Sequence, residues 1–135
     1  MKTPTANVPL TEIDGIPCYA PEAALSYTDY PSEGFDVTAA VEARSFWCRS
    51  RIRLIRRIIA QYSERGRTLD MLDLGCGIGG MVGGLQSLGR LNLTGSEIYL
   101  SGLKYARSRL PDASFIQLDA TRIPFTEAFD IIGAF

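Results

Sequence analysis

The chain has 135 residues, 46% hydrophobic and 21% charged, a composition that fits one ordinary globular domain and excludes a disordered segment. A net charge of −1 excludes a molecule built as a whole to coat nucleic acid or an anionic membrane. Histidine is absent, which removes the commonest general base and the commonest metal ligand.

Residues 1–37 read as an extended N-terminal arm. Prolines at 4, 9, 17, 21 and 31 and glycines at 15 and 34 break regular structure there. Ile13-Asp14-Gly15-Ile16-Pro17 carries an Asp-Gly turn signal for a short hairpin. Tyr19, Tyr27, Tyr30 and Phe35 are too aromatic for a free tail. The arm either packs on the domain or covers its ligand cleft; the alternative is an irregular extension frayed at its start. Met1-Lys2-Thr3-Pro4 lacks the apolar core of a signal peptide. No apolar run approaches the ~18 residues of a membrane span. Cys18, Cys48 and Cys76 are odd in number and widely spaced, forming neither a disulfide framework nor a zinc pattern, so the expected setting is a reducing cytoplasm without a bound metal.

From about residue 38 the pattern becomes helical and predicts one long helix over 38–64, capped by Asp36 or Thr38 and stopped by Gly66. Cys48, Ile52, Ile55, Ile59 and Tyr62 share one face, widened by Leu54 and Ile58. Arg49, Arg51, Arg53, Arg56 and Arg57 crowd the same segment. They read either as contacts for an anionic partner or, better supported by the net charge, as a solvated face whose stems cover apolar surface.

The row Met71-Leu72-Asp73-Leu74-Gly75-Cys76-Gly77-Ile78-Gly79-Gly80 predicts a buried strand at 69–75, a glycine-rich turn, and a helix at 79–88. Glycines at 75, 77 and 79 permit positive φ and close ligand approach. The N–H groups opening the helix suit a nucleotide, a phosphate or a carboxylate. Gly75-x-Gly77-x-x-Gly80 also satisfies the dinucleotide fingerprint. Asp73 discriminates: a buried anion beside a pyrophosphate repels it, whereas a ligand with a cationic end is attracted. Met81, Val82 and Leu85 give the helix an apolar face. Gly83 and Gly84 cost it about 1 kcal/mol each relative to alanine, with tight packing on the sheet as the expected compensation.

Strand two is predicted at 91–97. Its terminal Glu97 follows Gly75 at close to the ~20 residues that place an acid beside a ribose in nucleotide-binding α/β folds. A helix over 100–109 ends at Pro111. Ser114–Leu118 forms strand three, with Asp119-Ala120 at its carboxyl edge, and Phe129–Phe135 begins strand four. Asp73, Glu97 and Asp119 thus come from successive strands of one βαβαβ unit. Of the three, Asp119 suits an adenine amino group; the alternative is that it caps a turn.

These stretches together resemble the motifs of class I S-adenosylmethionine-dependent methyltransferases. LDLGCGIGG resembles the first motif, Glu97-Ile98 the second, Asp119-Ala120 followed by Ile123-Pro124-Phe125 the third, and Phe129–Phe135 the fourth. The likeness runs from about Phe46 to Phe135. It implies S-adenosylmethionine as cofactor and a Rossmann-like three-layer α/β sandwich with a mostly parallel sheet. Gly75, Cys76, Gly77 and Gly79 would shape the amino-acid pocket, Asp73 would balance positive charge, Glu97 would hold the ribose, and Ile98, Asp119 and Ala120 the adenine. An arginine of Phe46–Arg51 would meet the cofactor carboxylate or a substrate anion. No catalytic base follows from these residues.

The family has seven strands, whereas about four can be written here. Residues 38–135 therefore read as the cofactor-binding part of a methyltransferase domain, truncated after strand four and inactive by itself, with exposed sheet edges that invite homo-oligomers. The alternative fold is a compact four-stranded domain covered by the arm and the long helix. The expected function is methyl transfer to an acceptor, a small molecule rather than nucleic acid or a membrane. The competing readings are an NAD-dependent oxidoreductase unit and a non-catalytic interaction domain.

Overall fold

The computed structural model describes residues 6–26, 34–62 and 67–135. Tyr27, Tyr30 and Gly66 and the last residues assigned above to the long helix lie outside them. The elements in order are β1 (Thr11–Ile13), β2 (Ile16–Cys18), α1 (Pro21–Ser26), α2 (Phe35–Arg44), α3 (Phe46–Tyr62), β3 (Leu69–Leu74), α4 (Gly80–Leu85), β4 (Leu91–Glu97), α5 (Leu100–Arg109), β5 (Ser114–Gln117) and β6 (Ile131–Ala134). Among the described residues, no helix is long and apolar enough to cross a membrane.

One six-stranded sheet runs β1-β2-β5-β4-β3-β6. The strands β5, β4, β3 and β6 are parallel, with Asp73 beside Gly95 on one side and Gly133 on the other. Parallel pairing sends every carboxyl end to the same edge, where ligands of such sheets lie. The sheet is mixed because the arm contributes to it. Asp14 and Gly15 both take positive φ (53° and 74°), making the tight turn anticipated from their sequence. The resulting β1–β2 hairpin then joins the edge at β5, with Cys18 opposite Gln117. Arg107 donates to the Gly15 carbonyl at 2.6 Å and Lys104 pairs with Asp14, so α5 holds the hairpin tip.

Alternation along the strands divides the core. Met71, Leu93 and Phe115 pack with Ile59 of α3, Val82 and Leu85 of α4 and Leu103 and Ala106 of α5. The opposite face presents Leu72, Ile116 and Leu118 to Tyr19 of the arm and to Phe125 and Phe129. Tyr19, Phe125 and Phe129 stack edge to face in series, with centroids 4.9 and 5.6 Å apart.

The single long helix expected from periodicity is two helices. Ser45 is extended (φ −62°, ψ 122°); its N–H donates to the Val41 carbonyl, closing α2. Its hydroxyl accepts the Cys48 N–H at 3.3 Å, capping α3. At the start of α2 the cap is Gly34, not Asp36 or Thr38; Asp36 instead accepts the Tyr105 hydroxyl at 2.6 Å. The helix expected over 79–88 is shorter, Gly80–Leu85. Its paired glycines admit neighbouring helical segments rather than the sheet. A Cβ on Gly84 would stand 2.8 Å from Ile52 of α3, and one on Gly83 would stand 3.3 Å from Leu110.

Candidate functional site

Strand β3 delivers the chain to the carboxyl edge, where Gly75, Gly77 and Gly79 all take positive φ (71°, 54° and 81°). Gly75 and Gly79 have different jobs. A Cβ on Gly75 would meet nothing within 4 Å, so its missing side chain leaves space for a ligand. A Cβ on Gly79 would lie 3.1–3.5 Å from Leu110, Ala106 and Phe115, so that glycine serves packing. The turn is pinned by the Cys76 N–H, which donates to the Ser96 carbonyl at 2.8 Å. Cys76 itself is buried, and burial, with help from Asp73 and Glu97, holds its thiol far above the usual range; it is a wall and not a nucleophile.

Asp73 is 2% exposed, and among the described residues its Oδ2 has no hydrogen-bond partner. Burial pushes its carboxyl up to about 7; Arg51 pulls the other way, and Glu97 adds to the rise. A buried carboxyl without a donor is costly unless something cationic arrives. Arg51 also acts on Glu42 of α2. Burial raises the Glu42 carboxyl, against the pull of Arg109 and Arg51. Glu42 Oε2 and Arg51 Nε are likewise buried without a partner among the described residues. Glu42, Arg51 and Arg109 line a cavity of about 140 Å³ with Gly80 and Met81. A Cβ on Gly80 would fall within 3.1 Å of the Glu42 carboxyl carbon. Unsatisfied charges of both signs therefore converge on the glycine turn, which suits a zwitterionic ligand end.

At the next strand Glu97 faces the same turn. Its Oε2 accepts the Gly77 N–H at 3.1 Å, and its Oε1 accepts the Ile98 N–H at 2.7 Å. The carboxylate is thus oriented by backbone and keeps acceptor capacity. Asp119 stands at the end of β5, where Thr121 donates to its Oδ1 through both N–H (2.8 Å) and hydroxyl (2.7 Å). These bonds hold its carboxyl below the usual range. One oxygen of Asp119 therefore caps a turn, the alternative role considered from sequence. Ala120 follows it on the exposed surface.

The structure brings Asp73, Gly75, Cys76, Gly77 and Glu97 together around the turn, with Ile98 held to Glu97. Sequence reasoning missed Glu42 and Gln117. Glu42 carries no local signal, because only the break at Ser45 folds α2 back beside α3. Gln117 was detectable as the amide in the otherwise apolar run Phe115–Leu118. Of the five clustered arginines, Arg56 is spent on α4, donating to the Gly84 carbonyl at 3.0 Å, while Arg49, Arg53 and Arg57 are exposed.

Residues 71–135 match the family model described as a methyltransferase domain. Over that stretch the chain is similar to methyltransferase domains. Solved methyltransferases share its fold. The CurJ carbon methyltransferase superposes with a TM-score of 0.67 at 17% identity, covering 78% of this chain and 32% of that one. CalS10, an amino pentose methyltransferase from Micromonospora echinaspora solved with S-adenosylmethionine, gives 0.60 at 19% identity over 81% and 44%. Phosphoethanolamine N-methyltransferase 2 from Haemonchus contortus, also in complex with S-adenosyl-L-methionine, gives 0.61 at 21% over 82% and 27%. The chain thus spans less than half the length of these neighbours. No curated protein matches it significantly.

Proposed function

We propose that this chain is the S-adenosylmethionine-binding part of a methyltransferase acting on a small molecule. The observation that carries the reading is the buried, unpartnered Oδ2 of Asp73 beside an open glycine turn. That carboxyl would meet the positive charge of the cofactor's amino-acid end. Arg51, with its unpartnered Nε, would meet the carboxylate of the same end. Gly75, Cys76 and Gly77 would form the floor, with Gly79 packing the end of that turn against Leu110 and Ala106. Glu97 would accept from the ribose hydroxyls, and Ile98, Asp119 and Ala120 would flank the adenine. When bound, the cofactor supplies an electrophilic sulfonium methyl. The chain's own residues bind it, orient it and keep water from its charged end.

The small-molecule acceptor is supported by the neighbours, two of which are described as amino pentose and phosphoethanolamine methyltransferases. Free cysteines at 18, 48 and 76 support a reducing, cytoplasmic setting. The boundary between a short arm and a cofactor-binding part near residue 38 belongs to this reading, as does pairing of chains through the β6 edge. Exposed Ile132 and Phe135 support that pairing.

Asp73→Asn tests the assignment. It keeps the shape and removes the charge, so S-adenosylmethionine affinity is expected to fall by about tenfold or more, as for loss of a charge-assisted contact. An unchanged affinity, or a new affinity for NAD, would count against it.

A further inference from the structure

Gln117 has no exposed surface, and its side-chain amide is engaged at both ends. Oε1 accepts the Ala20 N–H at 3.1 Å, and Nε2 donates to the Ile98 carbonyl at 3.2 Å. Its backbone carbonyl accepts the Tyr19 N–H at 2.9 Å. Ile98 in turn donates to Glu97, whose other oxygen accepts from Gly77. A continuous hydrogen-bonded path therefore runs from the N-terminal arm through Gln117, Ile98 and Glu97 to the glycine turn. The arm grips the next segment a second time. Asn7 donates to the Pro124 carbonyl at 3.0 Å, and Ala6 forms a bridge with Phe125. Asp119 and Ala120 lie between these two grips.

We propose that the arm is a working part of the nucleoside end of the site, and that Gln117 is the positioning residue coupling them. This rests on reading Glu97, Ile98, Asp119 and Ala120 as the nucleoside pocket. The chemistry at position 117 is restrictive. It faces a buried donor on Ala20 and a carbonyl acceptor on Ile98, and a neutral amide supplies both complements at once. An apolar side chain would leave both groups unmet and release Ile98 from its fixed position beside Glu97.

The test is calorimetric titration of the chain with S-adenosylhomocysteine and with 5′-methylthioadenosine, which lacks the amino-acid end. For Gln117→Met, Kd for both ligands is expected to rise by the same factor of about ten, since they share the nucleoside. Gln117→Glu offers a hydroxyl donor and a carbonyl acceptor when protonated, so its binding is expected to recover as pH is lowered, relative to wild type at each pH. That recovery also carries the test if Gln117→Met does not fold. A wild type that binds both ligands, with variants whose Kd is unchanged while Tm falls, overturns the positioning role alone. A wild type that binds neither ligand removes the nucleoside reading and this proposal with it.

Discussion

Asp73 serves two opposed demands. Folding buries it and leaves its Oδ2 without a partner among the described residues, so its carboxyl binds a proton near pH 7 rather than near 4. Between those values the folded chain holds a proton that the unfolded chain has lost, so this group's contribution to stability falls as pH rises from about 4 to about 7. Asp73→Asn should therefore raise Tm by several degrees at pH 8 and change it little at pH 4, as thermal unfolding at the two pH values would show. Binding has the opposite sign. A cationic ligand favours the ionised carboxyl, so wild-type affinity should increase as pH rises through about 7 and proton uptake by buffer should accompany binding. The glycines separate in the same manner. Gly79→Ala adds αL strain of about 1–2 kcal/mol and a clash with Leu110 and Ala106, for a total of about 2–4 kcal/mol in denaturant unfolding. Gly75→Ala adds the strain alone, and its larger effect should be on cofactor affinity, because its methyl enters open space. Equal losses of stability in both variants would refute the division.

Among the elements, legibility followed range. The β3 turn, β4, α5 and the Asp14-Gly15 hairpin were readable because local pattern dictates them: positive-φ glycines, alternation, a proline stop. The break at Ser45 was not, since no proline or glycine marks it and only the Ser45 hydroxyl reveals the new cap. Joining of the hairpin to β5 was equally hidden, because strand pairing between residues 18 and 117 has no sequence signature. For the same reason the charges meeting near Gly80, from Glu42 and Arg51, required the fold. Strand β6 makes a further element-scale prediction. At this sheet edge Ile132, in register with Leu72 and on the same face, is 54% exposed. If chains pair there, Ile132→Lys should shift the protein towards monomer in light scattering at high concentration; an unchanged mass distribution would exclude pairing through that edge.

At the scale of the whole molecule, the sheet gathers its chemistry at one edge and its packing elsewhere. Helices α3, α4 and α5 cover one face, and an aromatic row from the arm and the segment after β5 covers the other. On the proposed reading, the carboxyl ends of β3, β4 and β5 would present the contacts for the charged end, the ribose and the adenine in order. Binding requires all three parts to form in a chain that spans less than half of its structural neighbours. The most direct measurement is calorimetric titration of this chain with S-adenosylmethionine and, separately, NAD at pH 8. Saturable one-site binding of the first, with none of the second, is the predicted result. Absence of S-adenosylmethionine binding, or equal binding of NAD, would contradict the account.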